Sequence, residues 1–204
     1  MPEIEPTVFI VDDDPAVSEG LKELVRTIQL KVETFATAQA FLESYDPSRP
    51  GCLVLDVRLP GMSGLRLQDE LIARGITLPI IFISGHGDLA MAVEAMKKGA
   101  YDFMEKPVGD QMLLDRINAA LSEDQRRRTV HAEYESFQKA ASQLTAREHE
   151  VLALLKAGKS TNAIAETLGI SQKTAQVHRS RILEKLHVES VPALLNLLHR
   201  TNQM

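Results

Sequence analysis

Five short apolar runs, each ending in polar residues and separated by stretches of helical periodicity, constrain the N-terminal 120 residues more than any other feature. The runs are Thr7 to Val11, Lys31 to Phe35, Cys52 to Leu55, Pro79 to Ile83 and Ala100 to Met104. They are too short for buried helices and read as strands. Between the first two, Val17, Leu21, Leu24, Val25 and Ile28 follow helical spacing, with Asp14 as cap and Pro15 at the first helical position. Thr37, Ser63 and Asp88 are expected to cap the next three helices, and Gly99 stands where the fourth needs a left-handed residue. Such alternation predicts a doubly wound parallel five-stranded α/β sheet with helices on both faces. In that architecture the working crevice lies beyond the carboxyl ends of the strands.

The residues expected at that edge carry chemistry. Asp12 and Asp13 follow the first strand, Asp56 the third, Ser84 the fourth and Lys106 the fifth. Asp14 is explained by capping, but Asp12 and Asp13 are not needed for it. Asp56 sits between Cys52 to Leu55 and Val57, where an unpaired charge is costly. Three converging carboxylates repel one another unless a cation neutralises them, and hard oxygen ligands suit Mg²⁺, with Mn²⁺ as a substitute. An added ammonium and hydroxyl complete the parts for holding a phosphoryl group. Metal and lysine offset its charge, the hydroxyl donates to an oxygen, and a carboxylate attacks phosphorus. Singly, Ser84 before Gly85 is an ordinary turn and Lys106 before Pro107 an ordinary loop residue; jointly they point to a phosphoryl site.

Charge divides the chain. Residues 1 to 121 hold 11 basic and 19 acidic residues, 122 to 142 hold 4 of each, and 143 to 204 hold 8 basic and 5 acidic, within an overall −5. The mildly basic C-terminal part is suited to an acidic partner, though a basic face can equally be solvated surface. No run of about 18 apolar residues is present to cross a bilayer, and Met-Pro-Glu-Ile-Glu lacks a signal peptide's basic start and apolar stretch. No membrane association and a cytoplasmic location are therefore expected. The single cysteine, Cys52, reads as a small buried hydrophobe.

From Asp110 to Ala157 there is neither Gly nor Pro, so the fifth helix is expected to continue through the linker 122–142. Val130, Tyr134, Phe137, Ala141 and Leu144 repeat at four-three-four-three spacing, the seam of a short coiled coil or of a helix packed within the monomer. Thr145-Ala-Arg-Glu148 is a capping box opening a helix that Gly158 closes. A second helix carries Ile164, Ala165 and Leu168. Gly169 permits a tight turn, Ser171 caps, and a third helix turns Ala175, Ile182, Leu183 and Leu186 inward. Its other face carries Lys173, Gln176, Val177 and Ser180, flanked by Arg179, Arg181 and Lys185, a mixture suited to base edges and phosphates. The pattern is an all-α helix-turn-helix, against the plainer reading of a polar solvent face. A last helix, introduced by Ser190 and Pro192, is too apolar to face solvent on all sides.

Phe9-Ile-Val-Asp-Asp-Asp, Val54-Leu-Asp-Val-Arg-Leu-Pro-Gly-Met-Ser-Gly, Ile83-Ser-Gly-His-Gly-Asp and Phe103-Met-Glu-Lys-Pro resemble the receiver domain of bacterial two-component response regulators, over residues 1–121. Leu144-Thr-Ala-Arg-Glu-His-Glu-Val-Leu, Ile164-Ala-Glu-Thr-Leu-Gly-Ile-Ser and Thr174-Ala-Gln-Val-His-Arg-Ser-Arg-Ile-Leu-Glu-Lys-Leu resemble the LuxR-type DNA-binding domain, over 143–204. Together they resemble the FixJ branch of the NarL/FixJ family. The resemblance implies Asp56 as phosphoacceptor and Asp12, Asp13, Asp56 and the main-chain carbonyl of Arg58 as Mg²⁺ ligands. It further implies Lys106 and Ser84 on the phosphoryl oxygens, Phe103 as the aromatic switch partner of Ser84, and a cis Lys106-Pro107 bond. DNA contacts fall on Lys173, Thr174, Gln176, Val177, Arg179, Ser180, Arg181 and Lys185. Ala175 departs from the family's usual valine and Asn162 from a frequent phosphate-binding lysine, which shifts the expected DNA grip onto Lys173, Arg179 and Arg181.

The implied partners are a sensor histidine kinase, promoter DNA, RNA polymerase and a second copy of the chain. Phosphorylation is expected to drive dimerisation through the fourth helix and fifth strand and to relieve masking of the reader, with activation as the transcriptional outcome. Arg58 and His86, each two residues beyond a pocket residue, are expected to govern access of the hydrolytic water. The alternatives are a Mg²⁺-dependent phosphohydrolase and a phosphorylation-independent adaptor. The first lacks a substrate domain and a further acid-base carboxylate, and the second leaves the complete pocket unexplained, so the chain is read as a regulator and not an enzyme.

Overall fold

The computed structural model describes residues 5–85 and 89–201. By contacts the chain divides into two units, Met1–Arg126 and Arg127–Met204, with the division falling within 122–142. Each has its own apolar core.

The first unit contains strands β1 (Thr7–Val11), β2 (Lys31–Phe35), β3 (Gly51–Asp56), β4 (Ile80–Ser84) and β5 (Asp102–Glu105). All pair in parallel in the order β2-β1-β3-β4-β5. That order reverses between β1 and β3, the topological switch point where a parallel sheet opens a crevice at its carboxyl edge. The near-continuous burial of β1, β3 and β4 follows from helices covering both faces. Alternate residues divide between the faces. Phe9, Leu53, Leu55 and Phe82 meet α2 (Ala38–Ser44), α3 (Gly64–Ala73) and α4 (Leu89–Lys97). Val8, Ile10, Cys52, Val54, Ile81 and Ile83 meet α1 (Pro15–Arg26) and the first turns of α5 (Asp110–Ala141). Cys52 is fully buried, and burial pushes its thiol far up, so it behaves as a packed hydrophobe.

The caps read from sequence are formed. Asp14 accepts from the backbone of Ala16 and Val17, Thr37 from Ala40 and Ser63 from Arg66. Gly99 takes φ +86° after α4, where the Ala100 N–H donates back to the Ala95 carbonyl at 3.0 Å. The expected cap at Asp88 lies outside the described residues. Observed strand ends differ from the sequence reading by one or two residues in β3, β4 and β5, because pairing with the neighbouring strand, and not side-chain polarity, sets where each ends.

Helix α5 runs 32 residues without interruption. Of the heptad-spaced residues on it and beyond, Tyr134, Phe137, Ala141 and Leu144 pack into the core of the second unit, which accounts for that part of the seam within one chain. The second unit continues with α6 (Ala146–Lys156), α7 (Thr161–Leu168), α8 (Gln172–Lys185) and α9 (Val191–Thr201). Gly169, at φ +63°, ends α7 in the left-handed conformation. Ser171 then caps α8 through the Thr174 N–H. The inward faces of α6, α7 and α8 join Leu194 of α9 in one core. No described helix is long and apolar enough to cross a membrane.

Candidate functional site

The carboxyl edge of the sheet gathers the residues singled out from sequence. Asp12 leaves β1, Asp56 ends β3, Ser84 ends β4, and Lys106 follows β5. Asp12 and Asp56 are 4% and 9% exposed, and Ser84 is fully buried, while Asp13 faces solvent. One oxygen from each of Asp12, Asp13 and Asp56 lies within 4.8 Å of the others. Lys106 extends into the group, 2.7 Å from Asp12 Oδ2 and 3.5 Å from Asp56 Oδ1. Asp12 Oδ1 accepts the Asp14 N–H at 2.9 Å, so the first loop is held by the residue that lines the pocket.

The electrostatics follow from this crowding. Burial pushes the Asp56 carboxyl above its ordinary value; the charges of Asp12 and Asp13 push the same way, and Lys106 only partly opposes them. Burial pulls the Lys106 ammonium down, yet the hydrogen bond and charge of Asp12, together with Asp56, outweigh it and leave the ammonium stabilised. The donor set is therefore all oxygen, carries more negative charge than one lysine balances, and suits a hard divalent cation such as Mg²⁺. Arg58 is exposed two residues beyond Asp56. His86 lies outside the described residues.

The loops that hold this edge are fixed by backbone. The Lys106 N–H donates to the Ser84 carbonyl at 2.7 Å, and the Lys106-Pro107 bond is cis. The Val57 N–H donates to the Ile83 carbonyl, and Gly64, first in α3, donates to the Val57 carbonyl at 3.0 Å. A Cβ on Gly64 would overlap the Asp56 carbonyl oxygen, so only glycine lets α3 start against the end of β3. The sequence signal for this role of Gly64 is faint: a glycine immediately after a cap, where helix propensity disfavours it. Phe103 is partly buried on β5, its ring centroid 6.1 Å from that of Phe82.

The second candidate surface is the outer face of α8. Lys173, Thr174, Gln176, Ser180 and Arg181 are exposed, and Val177 is 42% exposed, an apolar side chain held out among polar ones. Ala175 and Ile182 turn into the core. Arg179 is partly buried, with Nη1 3.3 Å from Thr161 Oγ1 on α7. Lys185 stands apart from the expected set. Its ammonium lies 2.7 Å from Glu148 Oε2, where it ties α8 to the start of α6 instead of standing out with Lys173 and Arg181. Glu148, almost fully buried, also accepts the Thr145 N–H at 2.8 Å, completing the capping box. The Lys185 hydrogen bond, then the Thr145 N–H, hold its carboxyl down at about 2 against the effect of burial. The capping box was legible in sequence; its reach across 37 residues to Lys185 was not.

Comparison with known proteins finds the same two parts. Residues 8–118 match the model for the response regulator receiver domain, and residues 142–198 that for bacterial regulatory proteins of the luxR family. The chain is 43% identical over 194 residues to the transcriptional regulatory protein TdiR of Thauera aromatica, covering 95% of this chain and 86% of that protein. It is 40% identical over 197 residues to the transcriptional regulatory protein FixJ of Azorhizobium caulinodans, covering 97% and 93%. Among solved structures it is similar to the response regulator StyR (TM-score 0.77, 46% identity, 98% of this chain and all of that one). It is also similar to full-length FixJ from B. japonicum (TM-score 0.59, 33% identity, 99% and 100%).

Proposed function

The chain belongs to the NarL/FixJ family of two-component response regulators, in its FixJ-like branch, and on that premise we propose that it is a DNA-binding regulator switched by phosphorylation of Asp56. The observation that carries this reading is the convergence of Asp12, Asp13, Asp56, Ser84 and Lys106 at one sheet edge in a chain that also bears a helix-turn-helix.

In this reading a phosphohistidine of a sensor histidine kinase is the phosphoryl donor. An Asp56 carboxylate oxygen attacks phosphorus, and the bond to the donor nitrogen breaks with its electron pair leaving on that nitrogen. Mg²⁺, which Asp12, Asp13, Asp56 and the Arg58 carbonyl would hold, supplies neutralising charge for the phosphoryl oxygens when bound. Lys106 supplies the fixed ammonium, and the Ser84 hydroxyl donates to a phosphoryl oxygen. Arg58, with His86, governs the lifetime of the acyl phosphate by controlling the approach of water.

Drawing Ser84 toward the new charge frees space that Phe103 fills, and the surface of α4 and β5 changes with it. That surface is unusually apolar for an exposed face: Leu89 is 77% exposed, Val93 44% and Met96 45%, at i, i+4 and i+7. A second copy of the chain is the proposed occupant. The pair then presents two α8 helices to paired half-sites of promoter DNA. Lys173, Arg179 and Arg181 take phosphates, with Thr174 and Ser180 beside them, while Gln176 and Val177 meet base edges. Contact with RNA polymerase and activation of transcription complete the proposal.

The test is binding to a pool of random-sequence duplexes, with Mg²⁺ and a small acyl-phosphate donor, for the wild type and Asp56→Asn. The reading expects donor-dependent enrichment of a two-half-site sequence by the wild type alone. Equal donor-stimulated binding by Asp56→Asn would overturn it.

A further inference from the structure

Helix α3 holds a buried amide that neither the phosphoryl site nor the DNA reader uses. Gln68 is 1% exposed, between the core residues Leu67 and Leu71. Its Nε2 donates to the Ala95 carbonyl of α4 at 3.0 Å, and its Oε1 has no partner among the described residues. A leucine or methionine would fill this wall without an orphaned acceptor. What the amide adds is one directional bond to α4.

The acceptor it chooses sits at a particular place. The Ala95 carbonyl also accepts the Ala100 N–H across the left-handed turn at Gly99, so Gln68 grips the closing turn of α4. The next residue, Asp69, reinforces this grip from outside: Lys98 lies 2.7 Å from Asp69 and 2.8 Å from Glu94. Among the described residues, the polar ties from α3 to this region reach the Ala95 carbonyl and Lys98, the residue just past α4. At its own start, α3 is pressed on the end of β3 by Gly64, one turn before Gln68. Thus one ten-residue helix is seated on the phosphoacceptor's backbone at its first residue and grips the C-terminal end of α4 at its fifth.

We infer that Gln68 is the pivot of α4: it fixes the C-terminal end of that helix, so that rearrangement around Asp56 and Ser84 swings the opposite end, carrying Leu89 and Val93. This deepens the proposed function and rests on it for the assembly that the swing controls. Gln68 is a positioning residue and touches no reacting atom.

The test uses the full-length chain and Gln68→Met, which keeps the length of the side chain and removes both the donor and the orphaned acceptor. Hydrogen exchange is read first, with no phosphodonor. Amides of Lys98, Gly99 and Ala100 should exchange about fivefold to tenfold faster, the scale of one lost hydrogen bond, while β1 amides keep wild-type rates. Unchanged exchange at those three amides overturns the pivot. Phosphorylation and dimer content are then measured together with acetyl phosphate and Mg²⁺. The variant should be phosphorylated at the wild-type rate yet give several-fold less dimer per phosphorylated chain; wild-type dimer yield from a loosened α4 overturns the inference. If the wild type itself fails to dimerise, the proposed assembly fails, and the exchange result still decides whether Gln68 holds α4. Should Gln68→Met lose protection in β1, Lys98→Met replaces it. That variant cuts the outer tie to Asp69 together with the Lys98–Glu94 pair and should raise exchange at the same amides by a smaller factor; no rise there also overturns the pivot.

Discussion

Lys106 Nζ is 2.7 Å from Asp12 Oδ2 but 3.5 Å from Asp56 Oδ1, so the pocket's ammonium is held more closely by the neighbouring carboxylate than by the phosphoacceptor. It is thus placed to cancel part of the charge that a divalent cation would otherwise meet. Lys106→Met should therefore bind Mg²⁺ more tightly at pH 8, by roughly threefold to tenfold, on the scale expected for one partly screened charge. Titration calorimetry checks this, and equal or weaker binding contradicts it.

The same crowding predicts how Asp56 affects stability. Its folded carboxyl lies above the ordinary value, because of burial first and then Asp12 and Asp13. Between the unfolded and folded values the folded chain holds more protons, so stability falls as pH rises through that window and the full cost remains above it. Asp56→Asn should melt at a higher temperature than the wild type at pH 8 without Mg²⁺. The gap should close as pH falls below the ordinary carboxylate value, and shrink on adding Mg²⁺. A variant that melts lower at pH 8 would show that the pocket is not electrostatically strained.

Gly64→Ala tests the seat of α3. Because the added methyl meets backbone oxygen and not a flexible side chain, either β3 or α3 must shift. A loss of about 1–3 kcal/mol in unfolding free energy is expected, the usual range for overpacking. Slower labelling of Asp56 by a small phosphodonor should accompany it. Wild-type stability together with wild-type labelling excludes the tight seat.

In the second unit, the low Glu148 value of about 2 fixes another pH window. Its stabilisation is complete above the ordinary value of 4.5 and is lost as pH falls toward about 2, since the unfolded chain takes up the proton first. Glu148→Gln should lower the melting temperature at pH 7, with the difference from wild type disappearing in strong acid. Thr145→Ala removes the cap itself and should cost about 1 kcal/mol. A pH-independent deficit in Glu148→Gln would place the effect in packing and not in the ion pair.

Lys185 and Arg181 differ in what they face, and DNA should tell them apart. Arg181→Ala should reduce the slope of log affinity against log salt by about 1, as expected for one lost phosphate contact. Lys185→Met should leave that slope unchanged, because its ammonium is engaged by Glu148. Equal slope changes in the two would return Lys185 to the DNA-facing set.

The parts of this molecule that repeat locally were legible in its sequence. The short apolar runs marked the strands, and Asp14, Thr37, Ser63, Thr145 and Ser171 marked helix starts because a side-chain oxygen satisfies a backbone N–H three residues away or fewer. The pocket was legible for a topological reason: in a parallel sheet every strand end falls on the same edge, so Asp12, Asp56, Ser84 and Lys106 needed no distance information. What could not be read depends on which helix lies beside which. The Gln68 bond to Ala95 joins residues 27 apart, and Lys185 reaches Glu148 over 37, with nothing in either neighbourhood to distinguish a latch from a solvated polar group. For the seam from Val130 to Leu144, spacing alone describes both a coiled coil and a helix packed on its own unit. The packing of Tyr134, Phe137, Ala141 and Leu144 into the C-terminal core came only from the fold.

In the proposed mechanism, phosphate on Asp56 changes the assembly state of the chain. Light scattering of the full-length protein, with and without Mg²⁺ and a small acyl-phosphate donor and alongside Asp56→Asn, tests it most directly. Only the wild type with both additions should double its mass from the 22.6 kDa of one chain. An unchanged mass for a wild type whose Asp56 is demonstrably phosphorylated would contradict it.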